Sequence, residues 1–261
     1  MQLLVSVARA AEVEAAVEGG ADVIDAKDPS RGALGPVARR ALAEIAARVP
    51  ARMPFSVALG EVASPAEAAR TIGKCPVAVR PAETYVKLAS PDPARGADVR
   101  ARFAAAARAA RAHPARPLVV AVIYVDAAAP ADSPGSLTEA IAAAGASGLL
   151  LDTMKKDGRS LLDWAAPARL REWRDHARAA GLVFAVAGSL RLEHLPEIAA
   201  LGPDLVGVRG AACEGGRGGT VSARRVRELR AAVPPGWFAN VQSQPVASLP
   251  SRAVSDKPVG A

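Results

Sequence analysis

The chain has 261 residues, 51% of them hydrophobic, and a formal net charge of +7 at pH 7. It has no run of about 18 uncharged apolar residues and no basic, cleavable leader, so we expect a cytoplasmic protein without a membrane partner. Only nine aromatic residues accompany the positive charge, and no basic–aromatic alternation offers stacking platforms, which favours a small anionic substrate over nucleic acid.

Eight short apolar segments, most of them rich in β-branched residues, alternate with alanine-rich segments along the chain. This alternation is typical of parallel strands that are connected through helices. The predicted strands are residues 2–6, 22–26, 54–58, 84–88, 117–124, 147–151, 183–187 and 205–208.

A helical pattern follows each predicted strand, and several of these patterns begin at Ser, Asp or Pro and end at Gly. Gly19, Gly145, Gly181 and Gly202 are interpreted as helix stops. The predicted helices are residues 9–19, 36–49, 64–73, 97–112, 135–144, 164–180, 191–201 and 222–233.

Eight such units in a chain of this length predict an α/β fold, a TIM (β/α)8 barrel over residues 1–233. A doubly wound open sheet is the alternative. Residues 234–261 are rich in Pro and Ser without periodicity, and are expected to form a flexible or surface-draped extension.

Lysine is rare in this chain, which has 27 arginines and six lysines. Lys27 and Lys87 lie at the ends of the second and fourth predicted strands, and Lys155 and Lys156 follow the sixth. Catalytic residues of TIM barrels lie at the carboxyl ends of the strands, and even-numbered strands share layers of side chains. We therefore expect Lys27, Lys87 and one of the later pair to meet in one pocket. The residues alone do not decide between Lys155 and Lys156.

Several cations in one partly desolvated pocket lower the amine pKa from about 10.4, so that a neutral amine becomes accessible near pH 7. Such an amine can form a Schiff base with a carbonyl, whereas a guanidinium stays protonated. Asp25 lies on the same strand face as Lys27, and Asp152 ends strand six, so each is expected to orient an amine or relay protons. The alternative is that these lysines are loop residues in ordinary ion pairs.

Glycine-rich segments follow the seventh and eighth strands, where TIM barrels often bind phosphate. Gly188 and Ser189 precede a helix, and Arg209 and Gly210 follow strand eight. Exposed backbone N–H groups and one arginine would donate to phosphate oxygens. The histidines have no paired spacing, and Cys75 and Cys213 have no metal-ligand spacing, so we expect no metal, no cofactor and no disulfide.

Five segments together resemble the (5-formylfuran-3-yl)methyl phosphate synthase family, and the resemblance spans residues 1–233. The joint occurrence of D-x-K-[ND]-P, D-T-x-x-K-D-G and V-R-G-A-A-C is far more specific than any one of these motifs. The segments are GGADVIDAKDPSRGALG (19–35), TYVKL (84–88), LLLDTMKKDGRSLLDW (149–164), AVAGSL (185–190) and LGPDLVGVRGAACEGG (201–216).

The resemblance implies a lyase that joins two molecules of glyceraldehyde 3-phosphate into a phosphorylated furan aldehyde, with loss of phosphate and water, for methanofuran-type one-carbon carriers. It implies that Lys27 forms the Schiff base, that Lys87 accepts protons, and that Lys156 is the third lysine. Asp25 and Asp152 match the acidic positions that assist proton transfer. One departure is that the family's Gly-containing turn after the fourth strand is delayed here to Gly96.

Two other functions remain open on the sequence. An ordinary class I aldolase would use the same lysine chemistry but release an open-chain sugar phosphate. A basic barrel without catalysis would bind a polyanion or a protein. Dihydroxyacetone phosphate is an alternative imine-forming triose, and the sequence is compatible with a homo-oligomer.

Overall fold

Eight parallel strands close into a barrel in the computed structural model, which describes residues 1–91, 96–127 and 133–234. The strands are β1 (Gln2–Val7), β2 (Val23–Ala26), β3 (Phe55–Glu61), β4 (Thr84–Ala89), β5 (Leu118–Tyr124), β6 (Gly148–Asp152), β7 (Val183–Val186) and β8 (Leu205–Val208). β1 pairs in parallel with both β2 and β8. The predicted TIM barrel is therefore confirmed, and the open sheet is wrong because the strand pairing closes on itself.

Helices connect the strands on the outside of the barrel. Most lie within three residues of the predicted boundaries, whereas α1 and α8 begin four residues later than predicted, each after a short 3-10 turn. Ser64 begins α3 by accepting a hydrogen bond from the Glu67 N–H at 3.1 Å, which satisfies one of the free donors of the first turn. The helices are α1 (Val13–Glu18), α2 (Arg39–Arg48), α3 (Pro65–Gly73), α4 (Gly96–Ala112), α5 (Pro134–Ala143), α6 (Leu161–Trp164), α7 (Pro167–Ala179), α8 (Leu195–Leu201) and α9 (Ala223–Ala232).

Two elements differ from the sequence prediction, and the helix stop predicted at Gly19 is confirmed. The short helix α6 and a hairpin of β9 (Cys213–Glu214) and β10 (Thr220–Val221) were not expected. Gly19 ends α1 in a helical conformation, and the left-handed residue is Gly20, with φ +92°. A Cβ atom on Gly19 would lie 2.4 Å from the Val226 Cβ, so this glycine lets α1 and α9 pack closely.

The two faces of the strands have different side chains. Outward residues such as Leu3, Leu149 and Phe184 are fully buried against the helices and form the main hydrophobic core. Several inward residues are small or polar, among them Ser56 and Ala185, although Leu4 and Leu150 also face the barrel axis. The period-two alternation of a strand therefore separates the stabilising core from the residues that surround the barrel axis.

No helix within the described ranges is long and apolar enough to cross a membrane. The extension predicted for residues 234–261 lies outside the described residues, except for Pro234. Most of the altered turn after Lys87 likewise lies outside them, at residues 92–95.

Candidate active site

Three lysines and two aspartates meet at the carboxyl ends of β2, β4 and β6. Asp25, Lys27, Lys87 and Asp152 all have less than a tenth of their surface exposed. The alternation along β2 directs both Asp25 and Lys27 toward the barrel axis, where β4 and β6 contribute their own inward residues. The expected convergence of even-numbered strands is therefore present in the structure.

Asp25 forms an ion pair with Lys87 from β4, with 2.7 Å between Lys87 Nζ and Asp25 Oδ1. The Ser6 hydroxyl from β1 donates to the other carboxylate oxygen at 2.8 Å. Burial by itself would raise the pKa of Asp25, but the charges of Lys87 and Lys27 and these hydrogen bonds hold the pKa below its usual value. Asp25 is therefore an ionised group on β2 that contacts side chains from β1 and, across the barrel interior, from β4.

Asp152 forms the second ion pair, with Lys156 in the loop after β6. Lys156 Nζ donates to Asp152 Oδ1 and to Thr153 Oγ1, each at 3.0 Å. Burial again opposes ionisation, yet the charges of Lys156 and Lys27 keep the pKa of Asp152 lowered. Lys155 points elsewhere, with its Nζ 5.2 Å from the centre of the Trp164 ring. The structure thus places Lys156, and not Lys155, in the cluster.

Lys27 lies between these two pairs without a partner of its own. Its amine forms no ion pair and no hydrogen bond with any residue in the described part of the chain, although only 6% of the residue is exposed. The pKa of Lys27 is lowered to about 8, chiefly by burial; the charges of Lys87 and Lys156 act in the same direction, and those of Asp152 and Asp25 oppose it. The cluster contains three lysines but only two aspartates. Each aspartate pairs with another lysine, so Lys27 is the lysine without a carboxylate partner in the described chain.

A cavity of about 420 Å³ lies outside the cluster, toward the loops after β6, β7 and β8. Basic residues outnumber acidic ones in its lining, six to three, with Lys156 and Arg217 among them, and Lys27 lies at its inner end. We call this cavity the outer chamber. Its charge and its position at the carboxyl ends of the strands suit an anionic ligand.

Gly188 and Ser189 form a tight turn at the wall of the outer chamber. Both residues have positive φ angles, +113° and +49°, and the left-handed conformation is uncommon for a residue with a Cβ atom. A Cβ on Gly188 would lie 3.0 Å from Thr153 Cγ2. Within the described chain, the backbone N–H groups of Ser189 and Gly210 have no acceptor, so they are available to a ligand.

Arg209 does not have the environment that the sequence suggested. All five of its N–H donors are bonded within the protein: two to the Glu12 carboxylate at 2.7 and 3.0 Å, and three to the carbonyl oxygens of Ser6, Arg217 and Gly219. A guanidinium has five N–H groups, so none remains for a phosphate. The phosphate contact expected of this side chain finds no free N–H donor in this structure, because Glu12, distant in sequence, already neutralises the guanidinium.

Arg217 is a chamber residue that sequence reasoning missed. It stands in the glycine-rich loop between β9 and β10, and its Nη2 donates to the carbonyl oxygens of Gly32 and Pro29 at 2.8 and 3.3 Å. Burial lowers the pKa of Arg217, while the negative charge of Asp152 opposes this. The signal in the sequence was a lone arginine among the glycines of GGRGG.

No group of three or more His, Cys, Asp or Glu residues in the described ranges is arranged to hold a metal ion. Cys75 and Cys213 are both free and buried.

Comparison with solved structures gives the same fold. Phosphoribosyl anthranilate isomerase from Thermus thermophilus is similar with a TM-score of 0.58 at 17% identity, over 89% of this chain and 98% of that one. A 3-hexulose-6-phosphate synthase is similar with a TM-score of 0.56 at 20% identity, over 89% and 100% of the two chains. At these identities the likeness is one of fold.

Comparison of sequences is more specific. The (5-formylfuran-3-yl)methyl phosphate synthase of Methanopyrus kandleri is 36% identical over 89% of this chain and 98% of its own length. The enzyme of the same name from Methanosarcina mazei is 34% identical over 88% and 97%. The model of the 4-HFC-P synthase family matches residues 3–230. The chain therefore belongs to the 4-HFC-P synthase family.

Proposed function

We propose that this protein is a (5-formylfuran-3-yl)methyl phosphate synthase that joins two molecules of glyceraldehyde 3-phosphate through an imine on Lys27. Membership of the family supports the reaction. The observation that carries the mechanism is the contrast among the lysines, because Lys87 and Lys156 are each held by a carboxylate and Lys27 is not. The product would supply the furan of methanofuran-type one-carbon carriers.

Imine formation requires a neutral amine. With a pKa of about 8, roughly a quarter of Lys27 would be neutral at pH 7.5, against about one part in a thousand for an unperturbed lysine. The neutral amine adds to the carbonyl carbon, and the carbonyl oxygen leaves with two protons as water. This leaves a neutral imine. Protonation of its nitrogen by a neighbouring ammonium group gives an iminium, which withdraws electrons and acidifies the neighbouring C–H bond for carbon–carbon bond formation.

The two lysine–carboxylate pairs would move protons around this imine. Asp25 and Asp152 are ionised by their lysine neighbours, so they can accept protons, and the ammonium groups of Lys87 and Lys156 can donate to oxygens that leave as water or phosphate. The pairs stand on either side of Lys27, from β4 and from the loop after β6. Successive proton transfers could therefore occur without movement of the bound intermediate.

The phosphate groups would bind in the outer chamber. Lys156 and Arg217 offer charge, and the N–H groups in the Gly188–Ser189 turn and at Gly210 offer directed donors. Arg209 would act indirectly, by holding the carbonyl oxygens of Ser6 and Gly219 and so fixing β1 and the glycine-rich loop relative to each other.

The test is the identity of the product. Purified protein with glyceraldehyde 3-phosphate should yield one furan aldehyde phosphate, identified by mass and by its ultraviolet absorption, with release of inorganic phosphate. An open-chain six-carbon sugar phosphate would instead support an ordinary class I aldolase. Lys27→Arg is the matched control, since it keeps the charge but lacks an amine that can form an imine.

A further inference from the structure

The interior of the barrel below Lys27 is hollow. A cavity of about 500 Å³ follows the barrel axis from Lys27, Lys87 and Asp152 down to Gln2 and Glu83 at the amino ends of the strands. We call this cavity the bore. TIM barrels usually fill this space with bulky branched residues. Here small residues occupy several inward positions, namely Ser56, Gly148, Ala185 and Gly207.

The bore opens at the end opposite the catalytic cluster. Glu83 at the amino-terminal mouth is exposed, and the inward side chains of Tyr85 and Val120 are partly exposed. Ala185, halfway along β7, retains 7% exposure, whereas its outward neighbours Phe184 and Val186 have 0%. In a packed barrel the inward residues would be at least as buried as the outward ones.

The bore and the outer chamber have different chemistry, although both reach Lys27 and Asp152. Below the cluster the bore wall is neutral, with Leu4, Val23 and Leu150 among its residues, and the exposed Glu83 adds a negative charge at the mouth. A phosphate dianion would lose its hydration in the bore without gaining a cation, which is strongly unfavourable. The bore is therefore unsuited to the phosphorylated substrates.

Polar groups without partners belong to residues in the wall of the same space. Ser56 Oγ and Asp152 Oδ2 are buried and have no hydrogen-bond partner among the described residues, and both residues line the bore. Buried polar atoms of this kind are usually satisfied by water. One such group stands partway along the bore and the other at its catalytic end.

We propose that the bore is a water passage that connects the lysine cluster with solvent at the amino-terminal mouth, separate from the outer chamber that admits the triose phosphates. The role of this passage in the reaction rests on the proposed function. Imine formation and dehydration each release a water molecule, and imine hydrolysis consumes one. While phosphorylated compounds fill the outer chamber, the bore gives these neutral molecules their own route.

Cysteine labelling tests the passage directly. Val120→Cys places a thiol in the bore, and Val119→Cys, on the outward face of the same strand and 2% exposed, is the matched control. Each variant is treated with neutral methyl methanethiosulfonate and with the anionic 2-sulfonatoethyl reagent. The outer chamber is first closed by a triose phosphate reduced onto Lys27 with borohydride, and mass spectrometry reports the occupancy. The wild-type protein gives the background of the two buried native cysteines.

With the adduct in place, the neutral reagent should label Val120→Cys about tenfold or more faster than Val119→Cys, whose labelling needs local opening of the fold. The anionic reagent should be slower than the neutral one by a similar factor. Adding Val183→Phe at the mouth, or Leu205→Phe if that variant folds poorly, should block the bore. Val120→Cys should then be labelled no faster than Val119→Cys.

Three results would overturn the passage: equal labelling of the two cysteines, equal rates for the two reagents, or loss of Val120→Cys labelling once the adduct is present. The last would mean that reagents enter through the outer chamber. If no adduct forms, the imine mechanism fails instead. Labelling of the free protein with and without the Val183→Phe block then still decides whether the bore opens at the amino-terminal mouth.

Discussion

Two buried cations at the carboxyl end of the barrel, Lys27 and Arg209, have opposite environments. Each has 6% of its surface exposed. Arg209 donates five hydrogen bonds, two of which form a bidentate ion pair with Glu12. The Lys27 amine, in contrast, has no hydrogen bond or ion pair within the described chain. The two residues are therefore equally buried and differ in their number of partners. Arg209, with five hydrogen bonds, stabilises the fold, whereas Lys27, with none among the described residues, is available for chemistry.

The comparison also separates Lys27 from the lysines beside it. Lys87 and Lys156 share its pocket, but each is neutralised by a carboxylate at 2.7 or 3.0 Å. The excess positive charge of the cluster thus falls on Lys27, whose pKa is lowered chiefly by burial and also by the charges of the neighbouring lysines. Changes to each cation should give distinct phenotypes, which we set out from the largest effect to the smallest.

Among changes that leave the nucleophile in place, removal of the proton-transfer lysines should have the largest effect on rate. Lys87→Ala and Lys156→Ala should each reduce kcat by about 10²–10⁴-fold, the usual contribution of a positioned acid or base. Both variants should still be trapped with substrate at Lys27 by borohydride, because the nucleophile is intact. Turnover near the wild-type rate in either variant would remove that lysine from the mechanism.

Arg209 should matter chiefly for stability. Arg209→Met leaves the Glu12 carboxylate buried without its partner, which typically costs about 3–5 kcal/mol. Chemical denaturation should show this loss, and the double change Glu12→Gln with Arg209→Met should recover part of it. Unchanged stability with a large rise in KM would instead return Arg209 to the role of a phosphate ligand.

Lys27→Met should have the opposite effect on stability. The folded protein holds Lys27 with a pKa of about 8, below the ordinary value of 10.5, so the unfolded state binds more protons between these pH values and wild-type stability rises with pH there. Below pH 8 the charged lysine costs the folded state on the order of 3 kcal/mol. The methionine variant should therefore be more stable than wild type at pH 7, and this advantage should fade as the pH approaches 10.5. An equal or lower stability at pH 7 would contradict the unpaired environment of Lys27.

Arg217 should affect substrate binding more than chemistry. If its contact with phosphate is the same in the ground and transition states, Arg217→Ala should mainly raise KM, with a loss of about 1.5–3 kcal/mol. Steady-state kinetics and the inhibition constant of inorganic phosphate measure this. Arg171→Ala, an exposed change on α7, is the control for charge alone. If neither constant changes in Arg217→Ala, the phosphate does not reach this side chain.

The sequence predicted the barrel well because strand and helix patterns are local. The inward direction of Asp25 and Lys27 follows from their spacing of two, and the meeting of even-numbered strands follows from the fold. Which aspartate pairs with which lysine could not be predicted: Asp25 shares a strand with Lys27 but bonds to Lys87 across strands. The partner of Arg209, Glu12, is 197 residues away in the chain, and only the closed barrel brings the two together.

The most direct test of the central claim is peptide-mapped borohydride trapping across pH. With glyceraldehyde 3-phosphate, the covalent mass should appear on the peptide that contains Lys27. The initial trapping rate should rise with pH, reach half of its maximum near pH 8, and level off about one pH unit higher, as the amine loses its proton. Lys27→Arg should show no label. Labelling at Lys87 or Lys156 in the wild-type protein, or undiminished labelling in Lys27→Arg, would contradict the assignment of Lys27 as the imine-forming residue.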